Sequence, residues 1–360
     1  MENKERIYWV VLAETPGIGP VTFFDLLAKF DTAEAVWKAT PDELRKNEIS
    51  ERIRKLLLRR RKLVDPKRHI SVLARRGVEV VTMMDPEYPQ HLLGINKSPP
   101  VLFVRGRLLP EDNNSLAVVG TRKPTSYGRN ATEKLVSDLV SSGLTIVSGL
   151  ARGIDGIAHR TALDLGGRTV AFLGGGIDNI YPSEHKVLAE KIVKNGALIS
   201  EFPPGFQPSR GNFPARNRLI SGMSLGVLVV EGLSKSGTKH TVNHALSQGK
   251  PVFAVPGPIT SKMSDAPMDM ISDGAHMVRK AEDILKVLGV DGNMGGDKQK
   301  QVEFENDTEK IIYSLIENEP LSGDEIIRLS NFNPQETMTT LSMMELKGMI
   351  KNVGGEYLKS

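Results

Sequence analysis

The 360-residue chain contains no cysteine. That excludes a disulfide framework, a thiolate nucleophile and a thiolate metal site. No apolar run approaches the roughly 20 residues needed to span a membrane. The charged start, Met1-Glu2-Asn3-Lys4-Glu5-Arg6, leads into no signal-peptide pattern. A soluble, cytoplasmic protein without membrane contact is expected. Internal repeats and long low-complexity tracts are also missing. Histidines 159, 185, 240, 244 and 276 are scattered, with no zincin-like spacing. His240 and His244 can share a helix face but lack evident carboxylate partners, so no metal site is expected. Ser148 and Ser236 lie near glycines without a nucleophile-elbow pattern.

What is present tilts toward anions. Formal net charge is +4, and the isoelectric point is near 9.0. Length and pattern divide the chain into a helical part (1–75), an alternating strand–helix part (78–288), a Gly-rich polar linker (289–305) and a small helical module (306–360).

The first part carries Thr15-Pro-Gly-Ile-Gly-Pro20, followed by Phe23, Leu26, Leu27 and Phe30 at helical spacing. This is either a helix-hairpin-helix offering backbone N–H groups to a phosphate or a plain tight turn. Arg52, Arg54, Lys55, Arg59, Arg60, Arg61, Lys62, Lys67 and Arg68 follow, opposed only by Glu51 and Asp65. They form either a solvated helix face or a surface over which nucleic acid passes.

Six short runs in the middle part are apolar on both faces: 116–119, 144–147, 169–173, 197–200, 226–230 and 251–255. Helical patterns separate them. The reading is an α/β fold with a Rossmann-like, doubly wound, mostly parallel sheet, whose ligands sit beyond the strand C-termini. Gly120-Thr121-Arg122 follows the first run. Ser148-Gly149-Leu-Ala-Arg152-Gly153-Ile-Asp155 follows the second, and Gly174-Gly-Gly-Ile-Asp178 with Tyr181-Pro182 the third. Glycine turns opening helices favour anions, and Arg152 adds a planar cation. Asp155 is expected to orient the helix start or bond Arg152. Ser183 is a candidate cap for the next helix. Phe213-Pro-Ala-Arg216-Asn217-Arg218 opens another, with two arginines suited to phosphates and an amide suited to a backbone group or base edge. Phe213 suits ordinary core or a ring on which a base stacks. Ser236-Gly237-Thr238 offers a further helix N-terminus.

These strings resemble the DNA-processing protein A family, also called DprA or Smf. They occur in the family's order over roughly residues 80–285: GTR at 120–122, Tyr127-Gly128, SGLARGID with Ala158-His159, GGGID with Tyr181-Pro182, Ser200-Glu201, FPARNRLISG, Val230-Glu231, Ser236-Gly237 and Val255-Pro256-Gly257. The chain departs from the family pattern at Thr238–Thr241 and Asp265–Ile271. The resemblance implies an N-terminal helix-hairpin-helix (SAM-like) domain and a C-terminal winged-helix-like domain. It implies a DNA-binding protein rather than an enzyme, with no cofactor. Such a protein binds single-stranded DNA and loads a RecA-type recombinase onto it in natural transformation. It forms homodimers through the α/β domain, and a single-stranded-DNA-binding protein is a further candidate partner. The DNA-binding residues would be Gly120, Thr121, Arg122, Ser148, Gly149, Arg152, Gly153, Lys186, Phe213, Arg216, Asn217 and Arg218.

The C-terminal module reads as helices over 308–316, from 321–327 and over 334–346, then a two-strand wing over 348–358. The third helix holds no arginine, and Lys347 stands only at its end. A protein contact, or a contact with the chain's own domains, is expected there instead of major-groove reading. The rival reading is a phosphoribohydrolase-like enzyme acting on a nucleoside monophosphate, with Glu201 or Glu231 as acid–base. That group's Pro-Gly-Gly-x-Gly-Thr string is absent, because Gly174-Gly175-Gly176 runs into Ile177.

Overall fold

A strand that is apolar on both faces needs cover on both, and the six central runs obtain it in one nine-stranded sheet. The structure is a computed structural model and describes residues 3–234, 236–290, 304, 306–316, 320–330 and 332–359. It divides into two units, residues 1–294 and 295–360.

The first unit opens with helices α1 (Asn3–Ala13), α2 (Pro20–Phe30), α3 (Ala33–Lys38), α4 (Pro41–Lys46), α5 (Glu51–Leu63) and α6 (Pro66–Arg75). Local chemistry sets their ends. Thr40 and Glu43 form a reciprocal capping box on α4, and Asp65 caps α6 ahead of Pro66. The strands are β1 (Glu79–Thr82), β2 (Val101–Gly106), β3 (Ser115–Val119), β4 (Thr145–Ser148), β5 (Thr169–Phe172), β6 (Gly196–Ser200), β7 (Val227–Val229), β8 (Val252–Ala254) and β9 (His276–Met277). Between them run α7 (Gln90–Leu93), α8 (Ser126–Ser141), α9 (Ile154–Asp164), α10 (Lys186–Asn195), α11 (Asn212–Met223), α12 (Thr238–Ser247), α13 (Asp265–Ser272) and α14 (Ala281–Leu288).

Every residue of β3 through β8 is buried. Sheet order is β1-β2-β6-β5-β4-β3-β7-β8-β9. From β6 to β9 all pairs are parallel, while β1 and β2 extend the β6 edge antiparallel. The chain builds outward from β3 to β6, then returns to the other side of β3 with β7. The β3/β7 boundary is therefore the topological switch point, where the connections leave toward opposite edges and open a crevice. Leu219, Ile220, Val242 and Met270 cover one sheet face, and Leu135, Ile154 and Ile284 cover the other.

The N-terminal helices, read from sequence as a separate domain, share a core with the sheet. Trp9, Phe23 and Leu57 belong to the same cluster as Phe103, Ala171, Leu188 and Leu198. Buried Glu14 ties three of these helices together, accepting from Arg60 at 2.7 Å and lying 2.6 Å from His69. Ser183 does not cap α10. It starts a short 3-10 turn, and His185 occupies the N-cap.

The second unit contains α15 (Asp307–Leu315), β10 (Leu321–Ser322), α16 (Gly323–Ser330), α17 (Pro334–Leu346), β11 (Ile350–Val353) and β12 (Glu356–Lys359). Its antiparallel sheet runs β10-β12-β11, the wing of a winged helix. Ile312, Ile326, Leu341, Met344 and Ile350 form its core. Lys347 is drawn into an ion pair with Glu309 at 2.6 Å. The linker read over 289–305 lies, apart from Gly289, Val290 and Phe304, outside the described residues.

Candidate nucleic-acid interface

The switch point holds a cleft of about 830 Å³. One wall is the turn after β3, Gly120 to Lys123. The opposite wall is the segment after β7, including Leu233, Ser236, Gly237, Thr238 and His240. Phe213, Pro214, Arg216 and Asn217 of α11 form the floor with Ala151 and Asp155, and Tyr181 and Arg210 stand at the rim. Although residues 238–241 depart from the family pattern, α12 still begins at this wall, and no side chain caps it.

The walls meet because glycines permit it. Gly153 has φ +75°, and a Cβ there would collide with the Thr121 carbonyl and the Arg122 backbone. The turn after β4 thus packs directly against the turn after β3. Buried Glu231 holds the far side of that turn, accepting from the Thr125 N–H at 2.9 Å and its hydroxyl at 2.6 Å. A Cβ on Gly128 would strike the Glu231 carboxylate.

The SGLARGID turn differs from its sequence reading. Two of its amides are already taken by the chain's own carboxylate. Asp155 accepts from Gly149 N–H at 3.1 Å and Ala151 N–H at 3.4 Å. An external phosphate therefore cannot use those donors without displacing Asp155. Asp155 does orient the helix start, but through these amides and not through Arg152. Burial pushes its carboxyl pKa up, opposed by the facing charge of Arg216. Ser148 is buried and donates to the Val118 carbonyl at 2.6 Å, bracing the turn against β3. Gly149 is likewise buried and sits against the Arg216 guanidinium.

The arginines separate into two kinds. Arg216 is buried and donates to the carbonyls of Gly149 and Phe172. Burial lowers its pKa to about 10, with Asp155 opposing and Arg122 adding to the fall. Its donors are turned to the backbone beneath the cleft. Arg218 is also drawn inward, into an ion pair with Glu201 that leaves both side chains mostly covered. Burial raises the Glu201 pKa, and Arg218 opposes that rise. By contrast, Arg122, Lys123 and Arg210 are exposed and have no ionic partner among the described residues. Among the described residues Asp155 is the only acid of the lining, and it is buried and engaged. The cleft is thus electropositive at its surface.

Exposed cations over a buried, engaged acid suit a polyanionic ligand. The family described as DNA recombination-mediator protein A matches residues 79–289. The chain belongs to that family. The family's helix-hairpin-helix domain matches residues 3–60 and its winged-helix domain residues 299–356. Protein Smf of Synechocystis is 32% identical, over 99% of this chain and 98% of its own length. The X-ray structure of DNA processing protein A from Streptococcus pneumoniae superimposes with a TM-score of 0.69 at 32% identity, covering 78% of this chain and 97% of that one. A Helicobacter pylori DNA processing protein A, solved to explain its single-stranded DNA binding mode, gives 0.52 at 28% identity, covering 58% and 95%.

Within this recombination-mediator fold the remaining candidates fall around the cleft. Asn217 lines it, and its amide has no hydrogen-bond partner among the described residues. Phe213 is half-buried, packs on exposed Tyr181 with ring centroids 5.5 Å apart, and lines the cleft. Arg152 is exposed and bonds Glu184 at 2.5 Å, beside a smaller recess that Arg122, Tyr181 and Phe213 also line. Lys186 is exposed at the start of α10, outside the cleft lining. The sequence reading missed Lys123 and Arg210. Lys123 adjoins a quoted motif, but nothing in the string around Arg210 places it near β3. Neither Glu201 nor Glu231, the acid–base candidates of the rival reading, lines the cleft. No group of three or more His, Asp or Glu side chains is arranged for a metal among the described residues. No described helix is long and apolar enough to cross a membrane.

Proposed function

We propose that the switch-point cleft grips the phosphate backbone of single-stranded DNA, and that the protein acts as a recombination mediator by presenting that strand to a RecA-type recombinase during DNA uptake. Arg122, Lys123 and Arg210 carry this reading: among the described residues they are exposed without ionic partners, and the one acid lining the cleft, Asp155, is buried. Arg216 backs them from below without competing for the ligand. Tyr181 and Phe213 offer aromatic surface at the same place, suited to sequence-tolerant stacking of bases. Arg152 and Lys186 stand on the α10 side, and the proposal assigns them the neighbouring phosphates. A homodimer would place two such clefts on one strand. The Helicobacter relative's single-stranded DNA binding supports the choice of ligand.

Titration of labelled oligo-dT at two salt concentrations tests this. Binding should weaken with salt by about 0.7 log unit per log unit for each phosphate neutralised. Arg122→Glu should weaken binding and flatten that slope. Absence of binding, together with release of free base from a nucleoside monophosphate, would establish the hydrolase reading instead.

A further inference from the structure

The basic run of the N-terminal helices is not used by the cleft, and the fold sorts its members. Arg60 is taken up by buried Glu14. Arg61 donates to the carbonyls of Val36 and Ala39 at 2.6 Å each, which leaves it half-buried between helices. These two are structural. Arg52, Lys55, Arg59 and Lys62 are all exposed. Their spacing of three, four and three residues puts them on one stripe of α5. Ile53 and Leu57, on the opposite side, are buried in the core. The stripe is about 15 Å long at the rise of an α-helix. Lys55 bonds Glu51 at 2.6 Å within the helix. Arg52, Arg59 and Lys62 have no ionic partner among the described residues.

Three unpaired cations on one helix stripe repel one another, and Glu51, held by Lys55, pairs with none of them. A line of phosphates would offset that repulsion. We infer that the α5 stripe is a second contact for single-stranded DNA, engaging the strand beyond the segment held in the switch-point cleft. This rests on the proposed DNA-binding function of the cleft. One line of cations suits one phosphate chain, and the duplex arm of the test decides whether that chain is single-stranded. The stripe also lies beside the Gly17–Gly19 turn, whose Gly17 packs against Leu56 of α5. Gly17 and Gly19 of that turn are exposed.

The test uses the full chain with labelled oligo-dT, short and long, and a duplex of the long length. The variants are Arg52→Glu/Arg59→Glu/Lys62→Glu and, to guard against a folding defect, the neutral Arg52→Gln/Arg59→Gln/Lys62→Gln, each checked by circular dichroism. Arg122→Glu is the cleft reference. The wild-type salt slope on long oligo-dT should fall by about 2 in the neutral variant, from about 0.7 for each of three lost phosphate contacts. Short oligo-dT should be affected much less. An unchanged slope on long oligo-dT, with Arg122→Glu still impaired, overturns the stripe and leaves the cleft standing. Loss confined to the duplex also overturns it. Failure of the wild type to bind any oligo-dT overturns the cleft, and the stripe with it.

Discussion

Replacing Arg216 by methionine separates support of the cleft from contact with its ligand. Arg216 is 5% exposed. It holds two backbone carbonyls, Gly149 and Phe172, and its charge faces the buried Asp155 carboxylate. Methionine fills much of the same space but removes the donors and the charge. Removing one member of a buried charged set costs about 3–5 kcal/mol, because the other is left uncompensated. For a unit of this size that corresponds to a melting temperature lowered by roughly 10 °C. The deficit should depend on pH in one direction. Burial already raises the Asp155 pKa, and loss of Arg216 raises it further. A carboxyl with a folded pKa above its unfolded value binds protons more tightly when folded, so folding gains as pH falls through that range. The gap between wild type and Arg216→Met should therefore be widest at neutral pH and narrow under acid conditions. Thermal melts across pH, with oligo-dT titration at a temperature where both are folded, measure this. A variant with unchanged melting temperature and lost DNA affinity would refute the reasoning and restore Arg216 as a direct phosphate contact.

Two further predictions rest on the same frame. Gly153→Ala should cost about 1–3 kcal/mol from its backbone conformation. It should also weaken oligo-dT binding, since the Thr121–Arg122 turn must move away; unchanged affinity would show that the turn contact does not shape the cleft. Lys250 donates to the carbonyls of Ser221, Gly222 and Ser224 at the end of α11, and burial lowers its pKa to about 8. Between about pH 8 and its ordinary value near 10.4 the unfolded chain holds more protons at this lysine, so it makes stability rise with pH. Denaturant titrations should show that contribution in the wild type and its absence in Lys250→Met; parallel pH profiles would argue against it.

Much of this was legible in the string. The six runs of 116–255 became β3 to β8, because residues apolar on both faces have no stable place except a covered sheet. The edge strands β1 and β9 and the interior strand β2 escaped notice: β9 is only His276–Met277, and β2 is placed by antiparallel pairing with β6, far along the chain. The winged-helix elements were readable from caps and turns; Asn333, for example, caps α17 by accepting from Glu336 N–H at 2.8 Å. The motif order also pointed to the correct family.

The sequence by itself determined the α/β class, the glycine turns at the strand ends and the positive balance of the chain, because these follow from local pattern and composition. It could not divide the arginines. Arg122, Arg216 and Arg218 look alike in the string, yet the first is free at a cleft wall, the second holds carbonyls beneath the floor and the third is paired with Glu201. Nor could it reveal that the SGLARGID amides are filled by Asp155. A charged side chain's role depends on which donors, acceptors and counter-charges the fold brings within a few ångströms, and those neighbours are tens of residues away along the chain. Only the tertiary structure brought them together.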